Sequence, residues 1–126
     1  MSLEFAQPDL CAEIAGLSAA ELDHLDFGVI GFDAETVVRR YNAYESKAAA
    51  LSPNSVLGHP LFTVVAPCMN NFMIAQRFDD AVSGGTRLDE TIDYVLTLRM
   101  RPVKVKLRLL ASPGLALRYV LVSRRQ

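Results

Sequence analysis

The order in which hydrophobic periodicities follow one another along the chain is the feature that most restricts its fold. Residues 27–42 (FGVIGFDAETVVRRYN) hold two β-rich runs around Asp33-Ala34-Glu35, the pattern of a hairpin without the strong Asn-Gly or Asp-Gly turn signal. From about Ala43 to Gly85, short helical pieces are separated by Ser52-Pro53, Gly58-His59-Pro60 and Ala66-Pro67. The last piece predicts an amphipathic helix. Phe72, Ala75, Phe78 and Val82 recur at helical spacing, Gln76, Arg77, Asp79 and Asp80 fall largely elsewhere, and Ser83-Gly84-Gly85 ends it. Three strand-like runs follow at 88–100, 102–111 and 116–123, divided by Pro102 and by Ser112-Pro113-Gly114. Two strands, then helices, then three strands predict an α+β domain: a five-stranded antiparallel sheet with helices gathered on one face.

Ahead of this core, residues 8–25 predict two short helices. Pro8 suits a first turn, Gly16 breaks the pattern, and Ser18 with Glu21 forms a capping box for AAELDHL. Such a segment can lie as a cap on something larger, which divides the chain into an N-terminal helical cap (1–25) and a core (26–126). The 126 residues suit one domain and leave no room for a second independent core.

Composition narrows the function classes. No apolar run approaches the length of a membrane span, and the N-terminus (MSLEFAQPDL) lacks a basic start and an apolar stretch, so a soluble, cytoplasmic protein is expected. A formal net charge of −1 gives no reason to expect nucleic acid or an anionic membrane as partner. The locally basic C-terminal third (Arg99, Arg101, Lys104, Lys106, Arg108, Arg118, Arg124, Arg125) alternates in part with apolar residues, as on the wet face of a sheet. Cys11 and Cys68 read as free thiols, because a chain of this size and apolar content needs no staple. The two histidines, His24 and His59, have neither metal-ligand spacing nor a Cys-His-Asn pattern, so neither a metal site nor a cysteine hydrolase is indicated. No phosphate-binding glycine loop is present, Ser83-Gly84-Gly85 reading as a helix stop. Nothing here points to an enzyme.

The predicted layout is that of a PAS domain, in which helices and sheet enclose a ligand pocket. The local sequence is more specific. FGVI at 27–30, RYNAYE at 40–45, LFTVVAPC at 61–68 and RMRPVKVKLRL at 99–109 resemble corresponding segments of the photoactive yellow protein family, in the same order and spacing from about Leu22 to the C-terminus apart from roughly one extra residue between Cys68 and Met100. The resemblance implies a blue-light sensory PAS domain. It places on Cys68 the thioester to p-coumaric acid, and on Tyr41 and Glu45 the hydrogen bonds to the chromophore's phenolate oxygen. Pro67, Ala49, Leu51, Leu96, Leu98 and Met100 fall at further pocket positions. Four of these depart from the family pattern: Ala49 stands for a threonine, Leu51 for an arginine, and Leu96 and Leu98 for aromatics, while Met100 is kept.

The residues themselves are compatible with that chemistry. Cys68 ends a Pro-preceded turn between an apolar stretch and an amphipathic helix, where rigid backbone can hold a thiol at a pocket wall. Tyr41 and Glu45 are four apart and share a face if their segment is helical. A carboxyl beside a buried phenolate should be neutral, because burial and like charge both oppose ionisation. Taken singly, the plain readings are an inert buried cysteine, a core tyrosine and an exposed helix carboxylate. The family further implies photoisomerisation, proton transfer from Glu45, and loosening of the N-terminal cap toward an unidentified downstream signalling protein. The alternative is a non-photoactive PAS module that binds another small ligand or mediates protein association. Pairing of two copies through the sheet stays open.

Overall fold

The computed structural model describes residues 3–97 and 102–124. Helices α1 (Leu10–Ala15) and α2 (Ala19–Leu22) precede strands β1 (Gly28–Phe32) and β2 (Val38–Tyr41). Then come α3 (Ala43–Ala49), α4 (Pro53–Val56), a π-helical turn (Leu61–Val65), a 3-10 turn (Pro67–Met69) and α5 (Ala75–Gly84). Strands β3 (Leu88–Leu96), β4 (Val103–Ala111) and β5 (Arg118–Ser123) complete one antiparallel sheet of order β2-β1-β5-β4-β3.

The hairpin forms without a glycine turn because Asp33 builds an Asx turn. One of its carboxylate oxygens accepts the backbone N–H of both Glu35 and Val37 at 3.0 Å, and the other takes Arg39 Nε at 2.8 Å. The expected capping box of α2 is present, with Glu21 N donating to Ser18 Oγ at 3.1 Å and Ser18 N to Glu21 Oε1 at 2.9 Å.

Both faces of the sheet are covered. Ile30, Phe32, Leu107, Leu109, Val120 and Val122 pack with Val56, Leu61, Ile74 and Phe78 in the main core. The opposite side chains, Val29, Leu110, Tyr119 and Leu121, pack with Leu10, Ile14 and Leu22 of the N-terminal segment. That is why all five residues of β1 are buried, a run a one-sided sheet would not contain.

Two arginines fasten the N-terminal segment to the sheet by its backbone carbonyls. Arg40 donates to the carbonyls of Ile14 and Leu17 and to the Tyr119 hydroxyl. Arg108 donates to the carbonyls of Phe5 at 2.9 Å and Gln7 at 2.6 Å while forking onto Asp89 through two 2.8 Å bonds. Arg108 is therefore not on a wet strand face as its alternation predicts; it is only 5% exposed. Its strand parity is read correctly, but the face is roofed by a segment about a hundred residues distant in sequence.

The hydrogen bonds from Arg108 hold the Asp89 carboxyl below the usual carboxylate range. A depressed folded-state pKa stabilises fully above the unfolded value, about pH 4, and that stabilisation is lost as pH falls through the folded value. Thermal melts between pH 7 and pH 3 should show this acid limb, and Asp89→Asn should flatten it. An unchanged limb in the variant would remove Asp89 from the account.

Two further expectations need correction. The third strand runs over Leu88–Leu96 among the described residues, the rest of its expected span to 100 falling largely outside them, and the fifth begins at Arg118 rather than 116. The amphipathic helix begins only at Ala75, and its buried stripe is Ile74, Phe78 and Ala81. Phe72 and Val82, expected inside, are 79% and 48% exposed. The reason is phase: Asn71 Oδ1 accepts the N–H groups of Met73 and Ile74 and turns the chain there, so Phe72 precedes the helix instead of extending its apolar face. No helix of the described residues is long and apolar enough to cross a membrane.

Candidate functional site

Tyr41 ends β2, and the next residue, Asn42, is the N-cap of α3, its side chain accepting from Glu45 N at 3.2 Å. Tyr41 and Glu45 therefore do not share a helix face as their spacing suggests. The chain bends at Asn42 and brings them together differently: the Tyr41 hydroxyl donates to the Glu45 backbone carbonyl at 3.4 Å. Both are buried, at 8% and 2% exposure. Burial first, then the Glu45 charge, pushes the Tyr41 hydroxyl pKa well above the ordinary tyrosine range, so it stays a protonated donor at any working pH.

The Glu45 carboxylate has a partner that the sequence reading placed among solvated cations. Arg124 Nη1 and Nη2 donate to its two oxygens at 2.8 and 3.0 Å, a fork with 17% and 2% side-chain exposure. Glu45 thus pairs with Arg124 in a buried fork, a partner the resemblance does not imply. Gly28 makes room for it: a Cβ there would lie 2.0 Å from Glu45 Oε1. Because Gly28 pairs with Val122 across β1 and β5, the missing side chain sits beside the strand that carries Arg124. The available signal was parity. Val120 and Val122 point into the main core, and Arg124, two further along, continues that face.

Cys68 lies in the 3-10 turn behind an exposed Pro67. It is a free, half-buried thiol packed against the main core. Its backbone is pinned: the Cys68 carbonyl accepts from the Tyr94 hydroxyl at 2.5 Å and from Asn71 Nδ2 at 3.1 Å, and Asn71 Nδ2 also donates to the Tyr94 oxygen at 2.6 Å. The sequence reading did not single out Tyr94 or Asn71. The same apolar cluster contains Tyr41 and Leu96 in its interior and Leu51 at its margin. Ala49 is buried on α3. Leu98 and Met100 lie outside the described residues.

Asn42 was also missed, although it sits inside the RYNAYE run. It is 1% exposed and uses its whole amide. Oδ1 accepts from Val29 N at 2.9 Å as well as from Glu45 N, and Nδ2 donates to the carbonyls of Leu22 and Phe27, both at 3.0 Å. One side chain therefore ties α3 to β1 and to the end of α2. An asparagine directly before a helical run is the signal that could have found it.

The donor set can be tested against the group implied by the resemblance. The free thiol of Cys68 and the phenol of Tyr41 belong to one apolar cluster, but the cavity that Tyr41 lines is bounded by Leu22, Arg40, Ser46 and Leu57 and not by Cys68. The carboxyl departs from the expectation, since both its oxygens are engaged by Arg124. No group of three or more metal-ligating side chains occurs among the described residues.

Comparison with known proteins identifies the family. The family model described as PAS fold matches residues 22–125. The photoactive yellow protein of Rhodothalassium salexigens is 33% identical over 107 residues, 85% of each chain, and that of Halochromatium salexigens is 35% identical over the same span and shares. Among solved structures, the photoactive yellow protein domain of the sensor histidine kinase Ppr from Rhodospirillum centenum superposes with a TM-score of 0.80 at 36% identity, covering 91% of this chain and 98% of that one. The PAS domain of the quorum-sensing receptor RpfR from Cronobacter turicensis, at a TM-score of 0.61 and 12% identity over 80% of this chain and 95% of its own, shares the fold alone. With the family model spanning most of the chain and relatives above 30% identity over 85% of it, the chain belongs to the PAS fold family and, within it, to the photoactive yellow proteins, as a sensor domain of that type.

Proposed function

We propose that this domain is a blue-light receptor in which Cys68 carries a p-coumaroyl thioester. The observation that carries the reading is the pinned, half-buried free thiol of Cys68 on the same apolar cluster as Tyr41 and Leu96. Light absorption and double-bond isomerisation are the chemistry that the bound group supplies. The chain's own residues supply the rest. Cys68 Sγ, as thiolate, takes the acyl group from an activated p-coumaroyl thioester, whose own thiol leaves. Tyr41 stays protonated and offers a hydroxyl whose present bond is long at 3.4 Å, so that hydroxyl is the hydrogen-bond donor for a phenolic oxygen. Ala49, Leu51 and Leu96 are assigned to the lining; Pro67 is exposed, and Leu98 and Met100 lie outside the described residues. Glu45 is assigned to its pairing with Arg124, and no proton transfer from it enters the proposal.

Signal output is assigned to the N-terminal segment, toward an unidentified signalling protein. Asn42 connects α3 to the end of α2 directly, so a displacement of α3 is felt at the segment whose backbone carbonyls Arg40 and Arg108 hold. A second reading, a non-photoactive PAS module for another small ligand or a protein partner, is favoured by the Glu45–Arg124 pair, which occupies the carboxyl that the photochemical reading would use.

Reconstitution with an activated p-coumaroyl donor separates the two. Expected is a mass gain of one p-coumaroyl group on Cys68, lost in Cys68→Ala, with a visible absorption band that bleaches in blue light. A colourless protein of unchanged mass would sink the first reading, and a partner or ligand that still binds Cys68→Ala would establish the second.

A further inference from the structure

We infer that Asn71 and Tyr94 are positioning residues for the thiol of Cys68: together they fix the peptide that follows it and so set the direction from which it takes an acyl group. The inference rests on the reading of Cys68 as the acyl acceptor and adds what aims it. The 3-10 turn around Cys68 is closed by ordinary backbone bonds, Met69 N donating to the Ala66 carbonyl at 2.9 Å and Asn70 N to that of Pro67 at 3.1 Å. The next donor in line, Asn71 N, is the one that would continue the turn onto the Cys68 carbonyl. It goes elsewhere. Asn70 adopts φ -85° and ψ 75°, an inverse γ-turn, and Asn71 N donates to the Met69 carbonyl at 3.0 Å.

Two side chains take the Cys68 carbonyl instead. Tyr94 reaches it from β3 with its hydroxyl at 2.5 Å, Asn71 Nδ2 donates to it at 3.1 Å, and the same amide nitrogen donates to the Tyr94 oxygen at 2.6 Å. The other end of the Asn71 amide is engaged as well, Oδ1 accepting from Met73 N at 3.0 Å and Ile74 N at 3.2 Å. A side chain bonded at both ends does not rotate, so the peptide after Cys68 is tied to β3 and to the approach to α5 at once. On the other side, Pro67 has its φ fixed by its ring. With both flanking peptides held, the Cα–Cβ bond of Cys68 keeps one direction. A single donor would satisfy the carbonyl, whereas two donors bonded to each other restrain it. Acyl transfer is sensitive to such restraint, because the sulfur has to be aligned on the acyl carbon and a misplacement of about 1 Å can cost on the order of a hundredfold. The step joins Cys68 Sγ, as thiolate, to the acyl carbon of a p-coumaroyl thioester and breaks the donor's own C–S bond, the departing thiolate taking up the proton that Cys68 released to solvent.

The test compares two reactions of Cys68 in the full chain, each located by peptide mass: transfer from a p-coumaroyl thioester, and alkylation by iodoacetamide, which is small enough to approach from many sides. Their ratio at one pH cancels the thiolate fraction. Asn71→Ser keeps an uncharged acceptor for the N–H groups before α5 and lacks the amide nitrogen that reaches Cys68, and Tyr94→Phe removes only the hydroxyl. Each variant leaves the carbonyl one donor and is expected to lower the ratio of acyl transfer to alkylation about threefold, and the double variant at least about tenfold. The loss is expected in the maximal transfer rate, not in the half-saturating donor concentration, with alkylation unchanged or faster. If both reactions fall together, or the double variant keeps the wild-type ratio, the inference is overturned while acyl acceptance by Cys68 stands. A wild-type chain that is alkylated at Cys68 but takes no acyl group overturns both.

Discussion

Arg124→Ala is expected to cost roughly 3–5 kcal/mol of folding stability, a large effect for a residue near the end of the last strand. The residue's worth lies in what it leaves behind. Glu45 is 2% exposed, and among the described residues both carboxylate oxygens are paired through the guanidinium. Without Arg124 the carboxylate is buried without its countercharge. Adding Glu45→Gln should recover much of the loss, because the second substitution removes the charge that made the first costly. Urea denaturation of the four-member cycle measures this through the midpoint at constant slope. The assignment is falsified if Arg124→Ala is near neutral, or if the two substitutions simply add. The same cycle bears on photochemistry: after chromophore loading, a Glu45→Gln spectrum that shifts only in the Arg124→Ala background would show that the arginine normally keeps this carboxyl out of the chromophore's proton inventory.

Asn42→Ala comes next in expected size, at about 3 kcal/mol. It strands two donors, Val29 N and Glu45 N, and takes a donor from the carbonyls of Phe27 and of Leu22, the latter keeping Leu25 N at 3.2 Å, in a site 1% exposed. Each buried group left unpaired costs about 1–3 kcal/mol, reduced where local shifts or water re-satisfy it. Asn42→Asp is the discriminating companion. It keeps the acceptor for Val29 N and Glu45 N, so α3 retains its N-cap. It replaces the two donations to Leu22 and Phe27 with repulsion between a carboxylate and carbonyls. Hydrogen exchange should therefore show α3 protected but residues 19–27 opened in Asn42→Asp, and both regions opened in Asn42→Ala. Equal protection of residues 19–27 in wild type and Asn42→Asp would remove Asn42 as the tie between the site and the N-terminal segment.

Much of the architecture is local in origin, and that part was legible. Alternating apolar residues specify strands through the period of the pleat. Proline and glycine punctuation separates the helical pieces, and Ser18 with Glu21 starts α2 by reciprocal hydrogen bonds three residues apart. Motif resemblance located Tyr41, Glu45 and Cys68, and all three belong to buried or half-buried parts of the structure.

What the local pattern could not contain is which distant group each polar side chain meets. Glu45 and Arg124 are 79 residues apart, and their pairing exists because β1 lies beside β5 in a register that sets Gly28 against Val122. Arg108 changes from a surface cation to a buried clamp only because the N-terminal segment roofs that face of the sheet. Phe72 moves from the core to the surface because Asn71 resets the helical phase. The residues by themselves determined the elements and the fold class, since propensity, capping and periodicity act within a few positions. The Glu45–Arg124 pairing and the link of the site to the N-terminal segment were decided by tertiary structure, because Coulomb and hydrogen-bond energies depend on distances that only strand order and register establish.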